Sequence, residues 1–434
     1  VTDCASALRN RYLCIMKFER YRIADEIKRS LAAQGFKKPT DIQYRAIPNI
    51  LAGEDLLAIA QTGTGKTAAF VIPILEMISK ENRRSRSAGI KCIVMVPTRE
   101  LAVQITKVFK TIGQHLNVET YAVHGGVDQD PQIAKLEEGI DVMVATPGRM
   151  FDLVSQGHIK LHRVQTVVLD EADHMLDLGF IADIENLIRW LPKRRQTLFF
   201  SATINDTIKK IAYSLVNKPV RIQISPKDPV SKNVTHSVIH VDMDTKRYYL
   251  EKLINENVDK KVLVFVRTKV RAERVQKAMA RVNIEALTMH GDKSQSDRLR
   301  ILDSFSKGEV MVLIATDVSA RGIDIPGVEL VVNYDLPEYT ENYVHRVGRT
   351  GRGRNKGLAF SFCSEQEQKL LKEIQGFLGK EIVELQIAHD AKEDILSLSE
   401  EKPITMDSIE QNLEEIVQGK RTKRKAKERN KNKK

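Results

Sequence analysis

Eight residues, Ala60-Gln61-Thr62-Gly63-Thr64-Gly65-Lys66-Thr67, carry the spacing of a phosphate-binding loop. Glycines at these positions let backbone N–H groups turn inward around phosphate oxygens. A helix opening at the end of the loop adds a favourable dipole. Lys66 is placed to reach the β- and γ-phosphates of a nucleotide, and the Thr67 hydroxyl to sit on Mg²⁺. Ala60 stands where the general pattern has Gly, a small departure. Further along, the apolar run Val167-Val168-Leu169 ends in Asp170-Glu171-Ala172-Asp173. Side chains at the C-termini of parallel strands face the ligand crevice of such sheets. Asp170 would hold Mg²⁺, largely through water, and Glu171 would orient and polarise an attacking water. A plain Gly-rich turn and an acid-rich helix N-terminus explain each segment alone. They do not explain the two together, and the pair reads as an ATPase site.

Two more segments bear on phosphoryl chemistry. Ser201-Ala202-Thr203 closes another apolar run. His345-Arg346-Val347-Gly348-Arg349-Thr350-Gly351-Arg352 interleaves arginine with glycine. That pattern suits close approach to a ligand better than a solvated basic face does. An arginine supplied to a transferring phosphoryl group is worth on the order of 10³–10⁵ in rate. No Asn-Lys-x-Asp occurs, so guanine recognition of the GTPase kind has no support.

The elements that must position these residues are legible as short apolar runs between helical patterns. The runs are Leu56–Ala60, Cys92–Val96, Val142–Ala145, Thr166–Leu169 and Thr197–Ser201, then Lys261–Val266, Ala286–His290, Val310–Ala315, Leu330–Tyr334 and Gly357–Phe362. Rich in Val, Ile and Leu, they read as parallel strands buried on both faces. Thr67–Lys80, Glu100–Gly113 and Val270–Ala280 have helical apolar spacing, and so does Tyr21–Leu31. The alternation predicts α/β architecture with doubly wound parallel sheets. It pauses between about Val220 and Thr235, where Pro226, Asp228, Pro229 and Ser231 cluster, and this is expected to be a linker between two such domains.

Bulk properties agree with a soluble nucleotide enzyme. The chain has 434 residues, 42% hydrophobic and 29% charged, enough for two or three cores. No apolar run approaches the ~18 residues of a membrane span, so no membrane association and a cytoplasmic location are expected. The four cysteines form no C-x-x-C pair, which argues against structural zinc and a disulfide framework. The net charge of +12 is uneven: Lys420 to Lys434 hold ten Lys or Arg and one Glu, so +9, leaving +3 for the rest. This tail is expected to tether RNA or merely to solubilise the end. The first methionine is Met16, and Val1 to Leu13 read as an upstream extension.

Taken in order, these motifs resemble those of the DEAD-box RNA helicases, most closely the bacterial RhlE-type group, over about Phe18 to Leu385. The resemblance implies two tandem RecA-like domains, residues 16–224 and 235–385, joined by 225–234 and followed by a polar extension over 386–434. Phe36, Pro39, Thr40 and Gln43 match the family's Q motif, whose Gln reads the adenine edge and whose aromatic residue stacks on the ring. This implies ATP as the nucleotide, contacted also by Gln61, Thr62, Gly63, Thr64, Gly65, Lys66 and Thr67. Asp170 to Asp173 spell the family name. Ser201 and Thr203 match the motif that couples hydrolysis to strand separation. Asp324 matches a second-domain contact to ATP, Arg349 and Arg352 the arginine fingers, and His345 a bridge to the acidic motif.

The resemblance implies RNA as the partner. Pro97, Thr98 and Arg99, Gly125 and Gly126, and Thr146, Pro147, Gly148 and Arg149 match RNA motifs of the first domain. Arg267, Gln295, Arg298, Thr316 and Asp317 match those of the second. Amides, hydroxyls and guanidinium groups suit phosphate and sugar contacts with little base selectivity. Ser319 stands where the family more commonly has Ala. A monomeric core is expected, acting on ribosomal precursors or with RNA-decay proteins, with partners docking after Leu385. Three other classes stay open at this point: a non-catalytic RNA clamp, a DNA-directed translocase and a P-loop small-molecule kinase.

Overall fold

The computed structural model describes residues 17–385 except 62, 85–88, 204–205, 225–229, 232, 318–324, 326 and 352–355. The expected N-terminal extension and basic tail lie outside the described residues. Fourteen strands are described, in two sheets of seven, and every pairing is parallel. The first sheet holds β1 (Leu56–Ala60), β2 (Cys92–Met95), β3 (Thr120–Val123), β4 (Val142–Ala145), β5 (Thr166–Leu169), β6 (Gln196–Ser201) and β7 (Val220–Ile224). The second holds β8 (Val234–His240), β9 (Val262–Val266), β10 (Ala286–Met289), β11 (Val312–Thr316), β12 (Leu330–Asn333), β13 (Gly357–Cys363) and β14 (Val383–Glu384). The strand order is β3-β4-β2-β5-β6-β1-β7 in one and β10-β11-β9-β12-β13-β8-β14 in the other. Adding seven to each strand number of the first order gives the second, so one topology is built twice.

Each sheet separates two cores. In β1, Leu56, Ala58 and Ala60 pack on one face while Leu57 and Ile59 pack on the other. Burial on both faces is why these strands have no polar alternation. In the second sheet, Leu263 and Phe265 of β9 face one core and Val262, Val264 and Val266 the opposite one. Helices cover both faces of each sheet, which is the tandem RecA-like arrangement.

Differences from the sequence expectation lie at the edges. The pause between Val220 and Thr235 contains β7 and the start of β8, and Val230 is buried in the second core. β3 and β14 were not expected either. The N-terminal helical pattern resolves into a short 3₁₀ turn, Phe18–Arg20, and a helix over Asp25–Ala33. The helix expected at Thr67–Lys80 runs over Lys66–Arg84.

Candidate functional site

The expected site residues gather at the C-terminal ends of the strands, where parallel sheets open their crevice. Of those expected to hold nucleotide, the phosphate loop follows β1, the acidic motif β5 and Ser201-Ala202-Thr203 β6, while Phe36, Thr40 and Gln43 precede β1 and Arg349 comes after β12. Those expected to hold RNA follow β2, β3 and β4, and their counterparts follow β9, β10 and β11 in the second unit. The topology thus divides the rim of each sheet into two halves.

At the end of β1, Gly63 and Gly65 adopt φ of 79° and 94°, a region open to glycine at no steric cost. Gly65 is constrained from outside as well: a Cβ there would lie 2.5 Å from Gln43 Nε2. Lys66 opens the helix over Lys66–Arg84, is 7% exposed, and its Nζ has no hydrogen-bond partner. A buried ammonium without acceptors is costly unless a ligand supplies them. The Thr64 hydroxyl donates to Gln61 O at 2.7 Å, tightening the loop, and Thr67 is half-buried beside Lys66. Thr62 lies outside the described residues. Gln43 sits in the helix over Asp41–Leu51, in a capping box with Thr40. Its Oε1 accepts from Thr40 N at 3.0 Å and its Nε2 donates to Gly65 O at 3.1 Å. Gln43 is thus a strut between the Thr40 segment and the phosphate loop, with one amide hydrogen and one lone pair left for a base. Phe36 is exposed and its ring is available for stacking.

At the end of β5, Asp170 is 3% exposed. Burial pushes its carboxyl up to about 6, helped by Glu171 and Asp173 and opposed by Lys66. Burial would raise Glu171 too, but His174, Arg349 and Lys66 together hold it down at about 2. Glu171 is therefore an ionised carboxylate at neutral pH. Its backbone is left-handed, φ 53° and ψ 47°, a conformation costing about 1–3 kcal/mol for a residue other than glycine. His174 Nδ1 stands 3.5 Å from Glu171 Oε2, and the ring is 2% exposed. Asp173 Oδ2 accepts from Ala202 N at 3.2 Å and from both the amide and the hydroxyl of Thr203 at 3.0 Å. The Ser201 hydroxyl closes that turn on Thr203 O at 2.8 Å.

The second unit contributes the helix over Thr340–Val347 and the residues after it. Arg349 is 4% exposed, and its Nε donates to His345 O at 3.1 Å. Its charge is among those that depress Glu171, so a cation of one unit acts on a carboxylate of the other. Arg346 is buried and grips Asp317 with two bonds of 2.6 and 2.7 Å. Asp317 therefore shapes the Arg346 segment from the end of β11. Asp324 and Arg352 lie outside the described residues, as does Ser319.

On the other half of the rim, Thr98 caps the helix over Arg99–Ile112 by accepting from Leu101 N at 3.3 Å, with Pro97 buried before it. The Arg99 guanidinium lies across the β3 loop. A Cβ on Gly126 would fall 1.9 Å from Arg99 Nη1, and one on Gly125 3.5 Å from Nη2. Arg149 Nη2 donates to Val127 O at 3.0 Å, so two arginines converge on one loop. Arg149 follows Thr146, Pro147 and Gly148, with Pro147 at the first turn of its helix. In the second unit Thr268 caps the helix over Lys269–Arg281 as Thr98 does, accepting from Arg271 N at 3.2 Å. Arg267 precedes that cap. Thr316 is buried at the end of β11. Gln295 is 4% exposed and neither amide atom has a hydrogen-bond partner. Arg298 Nε meets Glu100 Oε1 at 2.9 Å, an ion pair that joins the two units.

Four residues of this region escaped the sequence reading: His174, Arg346, Lys246 and Glu367. His174 directly follows the acidic motif, and Arg346 sits inside the arginine–glycine one. The other two carry no spacing signal at all.

Comparison with known proteins gives the same two-part division. Residues 40–211 match the family described as DEAD/DEAH box helicase, and residues 245–354 match the helicase conserved C-terminal domain. The ATP-dependent RNA helicase RhlB of Shewanella frigidimarina is 40% identical over 86% of this chain and 86% of its own. The DEAD-box ATP-dependent RNA helicase CshA of Geobacillus kaustophilus is 39% identical over 82% of this chain and 76% of its own. What they share is the family; neither carries the RhlE group name. Among solved structures, S. cerevisiae Dbp5 bound to RNA and ADP BeF3 superposes with a TM-score of 0.79 at 31% identity, covering 88% of this chain and 98% of that one.

Proposed function

This chain belongs to the DEAD-box family of RNA helicases, and from that premise we propose how its own residues carry the activity. The protein is an RNA-stimulated ATPase that uses ATP to unwind or remodel RNA. The observation that carries the residue assignment is the buried, partnerless Lys66 ammonium beside an ionised Glu171 that also feels Arg349. No single unit holds that set. We assign residues 16–224 to the first domain, 225–234 to the linker, 235–385 to the second domain and 386–434 to a polar extension.

In this reading the backbone of Gly63 to Thr67 and the Lys66 ammonium cradle the phosphates, while Phe36 and Gln43 take the adenine. Glu171, fixed by its left-handed backbone, orients the attacking water. Arg349, with Arg352, stabilises charge on the transferring group. The donor set of Thr67 hydroxyl and Asp170 carboxylate is all oxygen and fits Mg²⁺, which would neutralise phosphate charge there. The described residues contain no cluster of three or more metal-ligating side chains, so phosphate and water would complete its shell. RNA lies across Arg99, the Gly125-Gly126 loop and Arg149, and across Arg267 and the helix carrying Gln295 and Arg298. Each ligand touches both units, so each tightens the other. Closure bends one strand and expels its complement. Asp173 holds Ala202 and Thr203, and Ser201 closes on Thr203 in turn, which supports a link from the acidic motif to that closure.

The test is RNA-stimulated ATPase of Glu171→Gln and Arg349→Ala. Losses of about 10²–10⁴ and about 10³ are expected, and wild-type turnover in either variant sinks the assignment. Running RNA and DNA oligonucleotides side by side separates this reading from a DNA-directed translocase. No helix among the described residues is long and apolar enough to cross a membrane. A monomeric core working in the cytoplasm, on ribosomal precursors or with RNA-decay proteins, is the setting we infer.

A further inference from the structure

The second unit contains a lysine that mirrors Lys66. Lys66 is the sixth residue after β1, and Lys246 the sixth after β8, the strand that holds the same place in the second sheet. Each opens a helix. Lys66 has no hydrogen-bond partner, whereas Lys246 is fully buried and well partnered. Its Nζ donates to Tyr334 O at 2.7 Å and to Glu367 Oε2, and lies 3.7 Å from Asp335 Oδ1. Glu367 thus supplies Lys246 with the anionic acceptor that Lys66 lacks.

Glu367 is itself saturated. Oε2 also accepts from Ser364 N at 3.1 Å and Ser364 Oγ at 2.8 Å. Oε1 accepts from Leu336 N at 3.1 Å and Arg267 Nη2 at 3.0 Å. Asp335 repeats the pattern, taking Arg267 N at 3.1 Å and Arg271 Nη2 at 3.1 Å. Burial opposes the charge of Glu367, but Lys246 first and Ser364 next hold its carboxyl below the ordinary range. Three cations thus surround two buried carboxylates. Lys246 lies at the bottom, and the side chains of Arg267 and Arg271 are about one-third exposed, at 35% and 31%.

We propose that Glu367 is a positioning residue for RNA binding: it holds the Arg267 guanidinium in a fixed orientation at the end of β9, and Lys246 is the buried counter-charge that lets it do so. Without Lys246 the carboxylate would neutralise the arginine it holds. With it the cluster keeps one net positive charge facing outward. A guanidinium held through one edge loses little further entropy on meeting a phosphate, since its planar fork is already set. The proposal rests on the reading of Arg267 as an RNA contact.

The experiment is a double-mutant cycle on single-stranded RNA affinity, measured with a non-hydrolysable ATP analogue, using Glu367→Gln, Arg267→Ala and the pair. Glu367→Gln is expected to weaken RNA binding about fivefold or more, with a loss that vanishes in the Arg267→Ala background. In RNA-stimulated ATPase the half-saturating RNA concentration rises by the same factor, and turnover at saturating RNA moves by less than about twofold. Unchanged RNA affinity, or full additivity with Arg267→Ala, overturns the proposal. Should Glu367→Gln fail to fold, Arg267→Lys decides. It keeps the charge but not the fork, so it should bind RNA about as weakly as Arg267→Ala, and wild-type affinity overturns the proposal. If Arg267→Ala itself binds RNA normally, the contact assignment fails. That outcome is distinct from a wild-type protein that RNA does not stimulate.

Discussion

The two halves of this molecule differ most where their chains run most alike. Both present a lysine on the first turn of the helix that follows an equivalent strand. In the first half that lysine is buried without an acceptor; in the second it meets a carboxylate supplied by the chain. The parallel sheet therefore creates a crevice for an anion in both places. Whether the crevice binds a ligand or locks the fold depends on whether a residue such as Glu367 already occupies it. An unmet donor is a liability for stability and the basis of binding.

The widest test of that contrast removes each lysine in turn. Lys66→Ala should cut ATPase kcat/KM by about 10³ or more while leaving thermal stability at wild type or slightly above, because an unsatisfied charge is gone. Lys246→Met should do the reverse. It leaves Glu367 with Arg267 as its remaining cation, and breaking a buried pair costs about 3–5 kcal/mol. Urea unfolding would show that loss. If Lys66→Ala destabilised the protein and Lys246→Met did not, the contrast would be false.

A smaller effect is expected where the halves meet. Glu100→Gln removes the carboxylate that meets Arg298 Nε at 2.9 Å between the two units. The mutual tightening of ATP and RNA should fall by about 5- to 150-fold, the span of ordinary coupling energies. Measuring each affinity with and without the other ligand reads this directly. Equal coupling in wild type and variant would show that the ion pair accompanies closure without supporting it.

The smallest effect concerns pH and belongs to the second half alone. Glu273 accepts from His290 Nε2 at 2.8 Å and Thr288 Oγ1 at 3.1 Å, and pairs with Lys293 at 3.1 Å. The His290 bond first, and the Lys293 and Thr288 bonds after a desolvation cost, hold its carboxyl at about 2 instead of 4.5. A depressed carboxyl stabilises the fold above its unfolded value and loses that contribution as pH falls toward the folded one. The stability difference between wild type and Glu273→Gln should be full above about pH 4.5 and close below it. The side chain is 37% exposed, so screening keeps the difference under about 1 kcal/mol. A difference that grew on acidification would contradict the assignment.

What the sequence revealed follows the same physics. Central strands such as β1, β2, β5 and β9 were legible because burial on both faces demands unbroken apolar runs. β3 and β7 close the two edges of the first sheet, and β14 one edge of the second. Their exposed residues, such as Arg221 and Gln223 in β7, erase that signal. β8 lies beside the two-residue β14 and runs Thr235, His236 and Ser237 together before Val238 and Ile239, so neither an apolar run nor a clean alternation marks it. The site divides similarly. Lys66, Asp170, Glu171 and Arg349, the residues proposed to act on ATP, stand in spaced motifs, as a ligand shared by neighbouring residues would require. Glu367 serves Arg267 from a hundred positions away, and one glutamate at that separation leaves no pattern to find. Gln43 was expected as a base reader, and its second role, bracing Gly65, depends on a contact that only the folded chain makes.

In the proposed ATP site that brace would give Gln43 a place in the timing of the reaction. One amide joins the segment that would recognise the base to the loop that would hold the phosphates. A nucleotide whose base pulled Gln43 out of place would also disturb Gly65, whose carbonyl accepts from the Gln43 amide at 3.1 Å. A wrong base would then be felt at the γ-phosphate, so selectivity would register as slower turnover after binding as well as weaker binding before it.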